Sequence, residues 1–191
     1  MKSIYLVRTY TGTFPSRLIN LFLREEYVHI SISFSEDLSD IYGFGKIKSI
    51  NPIHGGIQRE NMNSYPFIGV PCEIYELSVS STDYKRIKEQ VYNTYENRDL
   101  YKFNLLGLIT AYFKIEWERK YSYYCSEFIA EVLQNANLLD KSYKPSVTTP
   151  KELIDGLDNL SLVYKGNLSA YSELRKPSDD GVLQVQHNNP I

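Results

Sequence analysis

Two groups in this sequence have a setting that could support chemistry: the sulfur of Cys125 and the imidazole of His29. Cys125 lies in Tyr-Tyr-Cys-Ser-Glu-Phe-Ile-Ala-Glu-Val-Leu, residues 123–133, at the first turn of an expected amphipathic helix. A thiol there faces the positive end of the helix dipole and unpaired backbone N–H groups, which favour thiolate. Thiolate is the nucleophilic form, so a base within reach would make an activated pair suited to acyl transfer. Cysteine is also among the most commonly buried residues and often only packs. The base therefore decides the matter.

His29 is the expected base. In the strand-like run Tyr-Val-His-Ile-Ser-Ile-Ser-Phe, residues 27–34, alternation puts Val28, Ile30, Ile32 and Phe34 on one face. His29, Ser31 and Ser33 share the other, where small polar neighbours leave the ring uncrowded. On the helix, Cys125, Ile129, Val132 and Ala136 form one inward stripe. If that stripe packs over the His29 strand, sulfur and imidazole can meet. His54, beside Gly55-Gly56, is the rival base in a loop, and His187 lies in a polar tail. Cys72 follows Pro71 inside a strand-like run with no helix start beside it, and reads as structural.

The elements that must position these groups follow from local pattern. Residues 3–9 read as a strand, and Pro15 opens a short helix with Leu18, Ile19, Phe22 and Leu23 as its apolar stripe. Residues 38–44 can pair with 27–34 across the turn-like Ser35-Glu36-Asp37. A long irregular stretch is expected next, punctuated by Asn51-Pro52, Gly55-Gly56 and Tyr65-Pro66. Residues 71–79 form another strand, and Ser81-Thr82-Asp83 caps a helix to about Glu96. The 103–114 segment is apolar nearly all round and is expected to be a buried helix. The Cys125 helix runs to about Leu138, Thr149-Pro150 opens a short helix, and Leu160–Tyr164 is a last strand. Strands, then helices, then a strand indicate an α+β class with an antiparallel sheet packed against helices.

Composition bounds the possibilities. The 191 residues suit one domain, taken as 1–175, with a polar tail at 176–191. Apolar residues make up 42% and charged residues 23%, and the net charge of −2 gives no basic field for nucleic acid. Tyrosine is over-represented, with 17 against 8 Phe and 1 Trp. No export signal or membrane-length apolar run is visible, so a cytoplasmic protein with both cysteines reduced is expected. One helix cysteine and three scattered histidines give no metal-ligand spacing, and Gly43-x-Gly45 lacks the helix and third glycine of a phosphate loop. No cofactor is expected.

The constellation resembles the circularly permuted branch of the papain-like NlpC superfamily, the YiiX-like hydrolases and their lecithin:retinol acyltransferase-like relatives. Val28-His29-Ile30-Ser31-Ile32 resembles the histidine strand of that branch, which precedes the cysteine helix. Tyr123 to Ala130 resembles the nucleophile helix, Asp40 to Gly45 the following strand, and Thr149-Pro150-Lys151-Glu152-Leu153 a recurrent later element. The resemblance covers residues 3–165. It implies a permuted papain-like fold, Cys125 as nucleophile, His29 as general base, and hydrolysis of amide or ester bonds through a thioester. Family members often carry a polar residue after the histidine strand that orients the ring. Tyr42 and Ser39 are the candidates here, with Tyr42 preferred. Backbone N–H groups at the helix start would meet the oxyanion, with a pocket formed by Tyr123, Tyr124 and Ser126. The substrate would be a small molecule, peptide or lipid-like acyl compound. An acyltransferase on the same site, or a binding module without catalysis, are the alternatives.

Overall fold

A computed structural model describes residues 1–10, 27–46 and 55–175. The short helix expected from Pro15, the loop histidine His54 and the tail with His187 lie outside the described residues.

The protein is α+β, built on a six-stranded antiparallel sheet of order β4-β3-β2-β1-β5-β8. The strands are β1 (Lys2–Thr9), β2 (His29–Ser33), β3 (Ile41–Lys46), β4 (Gly55–Arg59), β5 (Pro71–Val79) and β8 (Leu160–Asn167). A two-stranded ribbon joins β6 (Lys102–Phe103) to β7 (Ser122–Tyr123). The helices are α1 (Ser81–Glu96), α2 (Leu105–Tyr112), α3 (Cys125–Asn135), α4 (Pro150–Asp155) and α5 (Leu168–Leu174). Among the described residues no helix is long and apolar enough to cross a membrane.

Alternation along each strand splits the core in two. Ile4 and Leu6 of β1, Ile30 and Ile32 of β2, and Tyr42 and Phe44 of β3 pack against Phe128, Ile129, Val132 and Leu133 of α3. Tyr5 and Val7 of β1, Ile41 of β3, and Cys72 and Ile74 of β5 form a second cluster with Phe67, Leu168 and Tyr171 on the other side. The stripe Cys125, Ile129, Val132 and Ala136 is buried throughout. Burying α3 on the sheet's central strands gives its first turn a fixed place relative to β2.

Three sequence expectations need correction. The 55–59 stretch is a strand, not part of an irregular loop: its two glycines pair with Gly45 and Lys46 of β3, and backbone pairing outweighs the turn tendency of Gly-Gly. The last strand extends to Asn167, whose side chain caps α5 by accepting from Ser169 N. The helix at 105–112 is shorter than expected and buries one face only. Leu108 and Ala111 pack with Val28 and Tyr124, while Leu106 and Ile109 stand 52% and 39% exposed. A two-turn helix at the molecule's margin has neighbours on one side, so apolarity all round does not bury it.

Candidate active site

The site is assembled where the start of β2 meets the start of α3. Tyr124 precedes the helix in an extended conformation, φ −102° and ψ 174°, so the helix opens sharply at Cys125. Glu127 reaches back to accept the Tyr124 N–H at 3.0 Å. Burial pushes the Glu127 carboxyl up to about 7, so this contact fixes the residue next to the sulfur at the cost of a buried acid. Glu127→Ala is expected to strand the Tyr124 N–H and lower stability by about 1–3 kcal/mol, while Glu127→Gln keeps an acceptor and most of the stability. Urea denaturation of the two variants checks this.

The strand side is fixed from β1. Thr9 lies opposite His29 and Arg8 opposite Ile30. The Arg8 guanidinium donates to the Tyr27 carbonyl at 3.3 Å and pairs with Glu73 at 3.0 Å, both groups buried. Glu73 in turn accepts from Tyr75 and Lys165. This anchors the entry to β2, and with it the backbone at His29.

The Cys125 sulfur lies near enough to the His29 imidazole to be among the groups that raise the ring's pKa, and its Sγ lies 4.0 Å from the Val28 carbonyl oxygen. The sulfur is buried with α3, and the ring belongs to the opposite face of the sheet. They meet because His29 is the first residue of its strand and the helix N-terminus reaches that end. The other ring nitrogen, Nε2, donates to Glu60 Oε1 at 2.8 Å and lies 3.0 Å from Ser31 Oγ. With Nε2 so engaged, Nδ1 is the nitrogen left for the sulfur. Ser31 also donates to Glu60 Oε2 in a short hydrogen bond. The Glu60 side chain is fully buried, and its backbone N–H donates to the Ile41 carbonyl, continuing the β3–β4 ladder.

Burial alone would lower the pKa of His29. The Glu60 charge, the hydrogen bonds to Cys125 and Glu60, and the charge on Cys125 outweigh it and raise the ring from about 6.5 to about 10. The ring is therefore held protonated through neutral pH. A thiol, imidazole and carboxylate in series at a helix start form a set able to activate sulfur for attack on a carbonyl.

Glu60 was not visible in the sequence, because it follows a stretch that reads as loop. A signal was available in Gly43-x-Gly45. These glycines lie on the same face of β3 as His29 and Ser31 on β2, opposite Gln58 and Gly56 of β4. A Cβ at Gly43 would stand 2.9 Å from Ser31 Oγ and overlap the Glu60 carboxylate. A Cβ at Gly45 would stand 3.1 Å from Gln58 Nε2 and 3.8 Å from His29 Cε1. The two glycines form a floor over which the His29, Ser31 and Glu60 side chains lie.

The remaining expected site residues point elsewhere. Tyr42 lies on the helix side of β3, opposite Ile32, with its ring against Tyr92 and Tyr95. The structure does not bring it to the imidazole, and Glu60 holds the orienting position. Ser39 donates to Asp37 in the turn. The Tyr123 hydroxyl donates to Glu131, that of Tyr124 to the Pro145 carbonyl at 3.2 Å, and Ser126 to the Thr148 carbonyl at 2.7 Å. The Tyr124 and Ser126 hydroxyls tie the start of α3 to the 145–148 segment. Cys72 is fully buried on the far cluster, where burial pushes its thiol up to about 12.

Among the described residues no group of three or more His, Cys, Asp or Glu is arranged to hold a metal ion. Comparison with protein-family models, with curated proteins and with solved structures gives no match.

Proposed function

We propose that this protein is a cysteine hydrolase of amide or ester bonds, of the permuted papain-like kind, acting through a thioester on Cys125. The observation that carries the reading is the Cys125 sulfur placed beside a His29 ring whose Nε2 bonds the buried Glu60 carboxylate. The histidine strand preceding the cysteine helix in the sequence supports it further, as does the antiparallel sheet beneath that helix.

In the proposed reaction His29 already holds the thiol proton, as its raised pKa requires, and the sulfur of this ion pair attacks the acyl carbon. The carbonyl oxygen gains negative charge and is met by the N–H groups of the helix start. Part of what raises the His29 pKa is the sulfur itself, through its hydrogen bond and its charge. Once sulfur is acylated those contributions go, and the imidazolium becomes a stronger acid. It then gives its proton to the departing amine or alcohol as the carbonyl re-forms. Water, deprotonated by the neutral ring, splits the thioester and restores the thiol. Glu60 and Ser31 keep Nε2 occupied throughout, so Nδ1 carries every proton transfer.

Competitive labelling tests the proposal. Iodoacetamide is expected to modify Cys125 roughly a hundredfold faster than Cys72 in the folded protein, since reactivity follows thiolate character and access. His29→Ala is expected to remove most of that advantage. Equal rates at the two cysteines, or an advantage indifferent to His29, would count against catalysis.

A further inference from the structure

The segment running out of α2 carries an apolar surface that catalysis does not explain. Leu106, Ile109 and Phe113 follow one another at helical spacing and are 52%, 39% and 69% exposed. Ile115 and Trp117 continue the row at 55% and 45% exposed. Lone exposed apolar residues are ordinary, but five large ones in a run of twelve are not.

Their exposure is held in place. Lys114, Glu116 and Glu118 alternate with Phe113, Ile115 and Trp117, and these charged residues bond to the body. Lys114 pairs with Glu152 at 2.6 Å, Glu116 pairs with Lys144, and Glu118 accepts from Ser146. The Asn104 side chain donates to the Trp117 carbonyl and caps α2 by accepting from Gly107 N. The charged members of the run are paired with the body at the surface, and the apolar members stand exposed among them.

The fringe of this surface is basic. Lys102 and Arg119 both adjoin Ser122 at the β6–β7 ribbon, and Lys120 lies over the Tyr121 ring. Of the acidic side chains in the same stretch, Glu116 is paired with Lys144 and Glu118 accepts from Ser146. A two-fold contact between copies would set this basic fringe against itself. An anionic surface would neutralise it, and Trp, Phe, Ile and Leu with flanking Lys and Arg suit the boundary between lipid headgroups and acyl chains. We infer that the outward row of α2 and the 113–117 segment is a docking surface for an anionic phospholipid bilayer. The inner face of the same helix packs on Tyr124 and Val28, which leaves the outward row free to meet the bilayer. The inference stands apart from catalysis and is tested without it.

Trp117 is the chain's one tryptophan, which makes its emission a direct reporter. The full chain is mixed with phosphatidylcholine vesicles, with and without phosphatidylglycerol. Co-sedimentation and a blue shift of Trp117 emission are expected with the anionic vesicles, both weakened by salt. Phe113→Ser with Ile115→Ser is expected to weaken binding at least ~tenfold. Leu162→Ser, at an equally exposed apolar site on β8, is expected to leave it unchanged. All these positions are exposed, so unchanged thermal melts should accompany the substitutions. Absence of binding to either vesicle overturns the inference. Binding without a blue shift assigns the membrane to another face and overturns it too. Concentration-dependent dimerisation abolished by the double substitution gives the surface to a second copy instead.

Discussion

A Glu60→Gln protein is expected to lose most of the pKa elevation at His29. In the native protein burial opposes the charged ring, and the Glu60 carboxylate is the largest influence overriding it. Glutamine fills the same space and can still accept from Nε2, but it carries no charge. Desolvation then dominates, and the ring should titrate near or below its ordinary value of ~6.5. Long-range nitrogen–proton NMR of the imidazoles reads this directly, with His29 assigned by its absence in His29→Gln. Under the proposed function, acyl-transfer turnover is expected to fall by roughly two to four orders of magnitude, the range for a positioned acid–base group. A ring that still titrates near 10 in Glu60→Gln would mean that the carboxylate does not govern it.

The same substitution has a signature in stability. The native pKa of His29, about 10, lies above its unfolded value of about 6.5. The ring therefore contributes stability that is fully present below pH ~6.5 and is lost as pH rises through about 10. Chemical denaturation of the wild type should show this decline across that window, and Glu60→Gln should flatten it. At neutral pH the variant should also be less stable, because a ring whose pKa is no longer raised loses the stability that its protonation contributed there.

Gly43→Val is expected to be the most damaging substitution on the strand floor, although valine is by propensity the better strand residue. A Cβ there would overlap the Glu60 carboxylate and crowd Ser31 Oγ. Neither neighbour has a way out: the Glu60 side chain is fully buried, and Ser31 is 1% exposed between strands. A cost of ~1–3 kcal/mol or more is expected from overpacking, together with displacement of the carboxylate from His29. A double-mutant cycle isolates the cause. In a Glu60→Ala background the cost of Gly43→Val should shrink, since the main obstacle is gone. Equal cost in both backgrounds would place the strain elsewhere.

The local signals and the long-range ones differed in how far they could be read. Period-two alternation in 27–34 puts His29, Ser31 and Ser33 on one face, and the structure agrees, because a strand offers its residues only two directions. The stripe through Cys125, Ile129, Val132 and Ala136 is buried for a similar reason: spacing along a helix determines which residues act together. Gly-Gly at 55–56 and the apolar run at 103–114 misled. In each, a neighbour distant in sequence decided the outcome, β3 as a pairing partner for 55–59 and the lack of cover on one side of α2.

The chemistry-bearing residues divide along the same line. By itself the sequence determined which sulfur begins a helix and which imidazole stands on a small, polar strand face, since both follow from residues within one turn or one strand. Only the tertiary structure decided that the two lie together, and that Glu60, not Tyr42, bonds the ring's Nε2. Strand register made that choice. It sets Tyr42 opposite Ile32 on the helix side and carries Glu60 past Gly43 onto the face of His29, and register depends on pairing between segments that no local pattern connects.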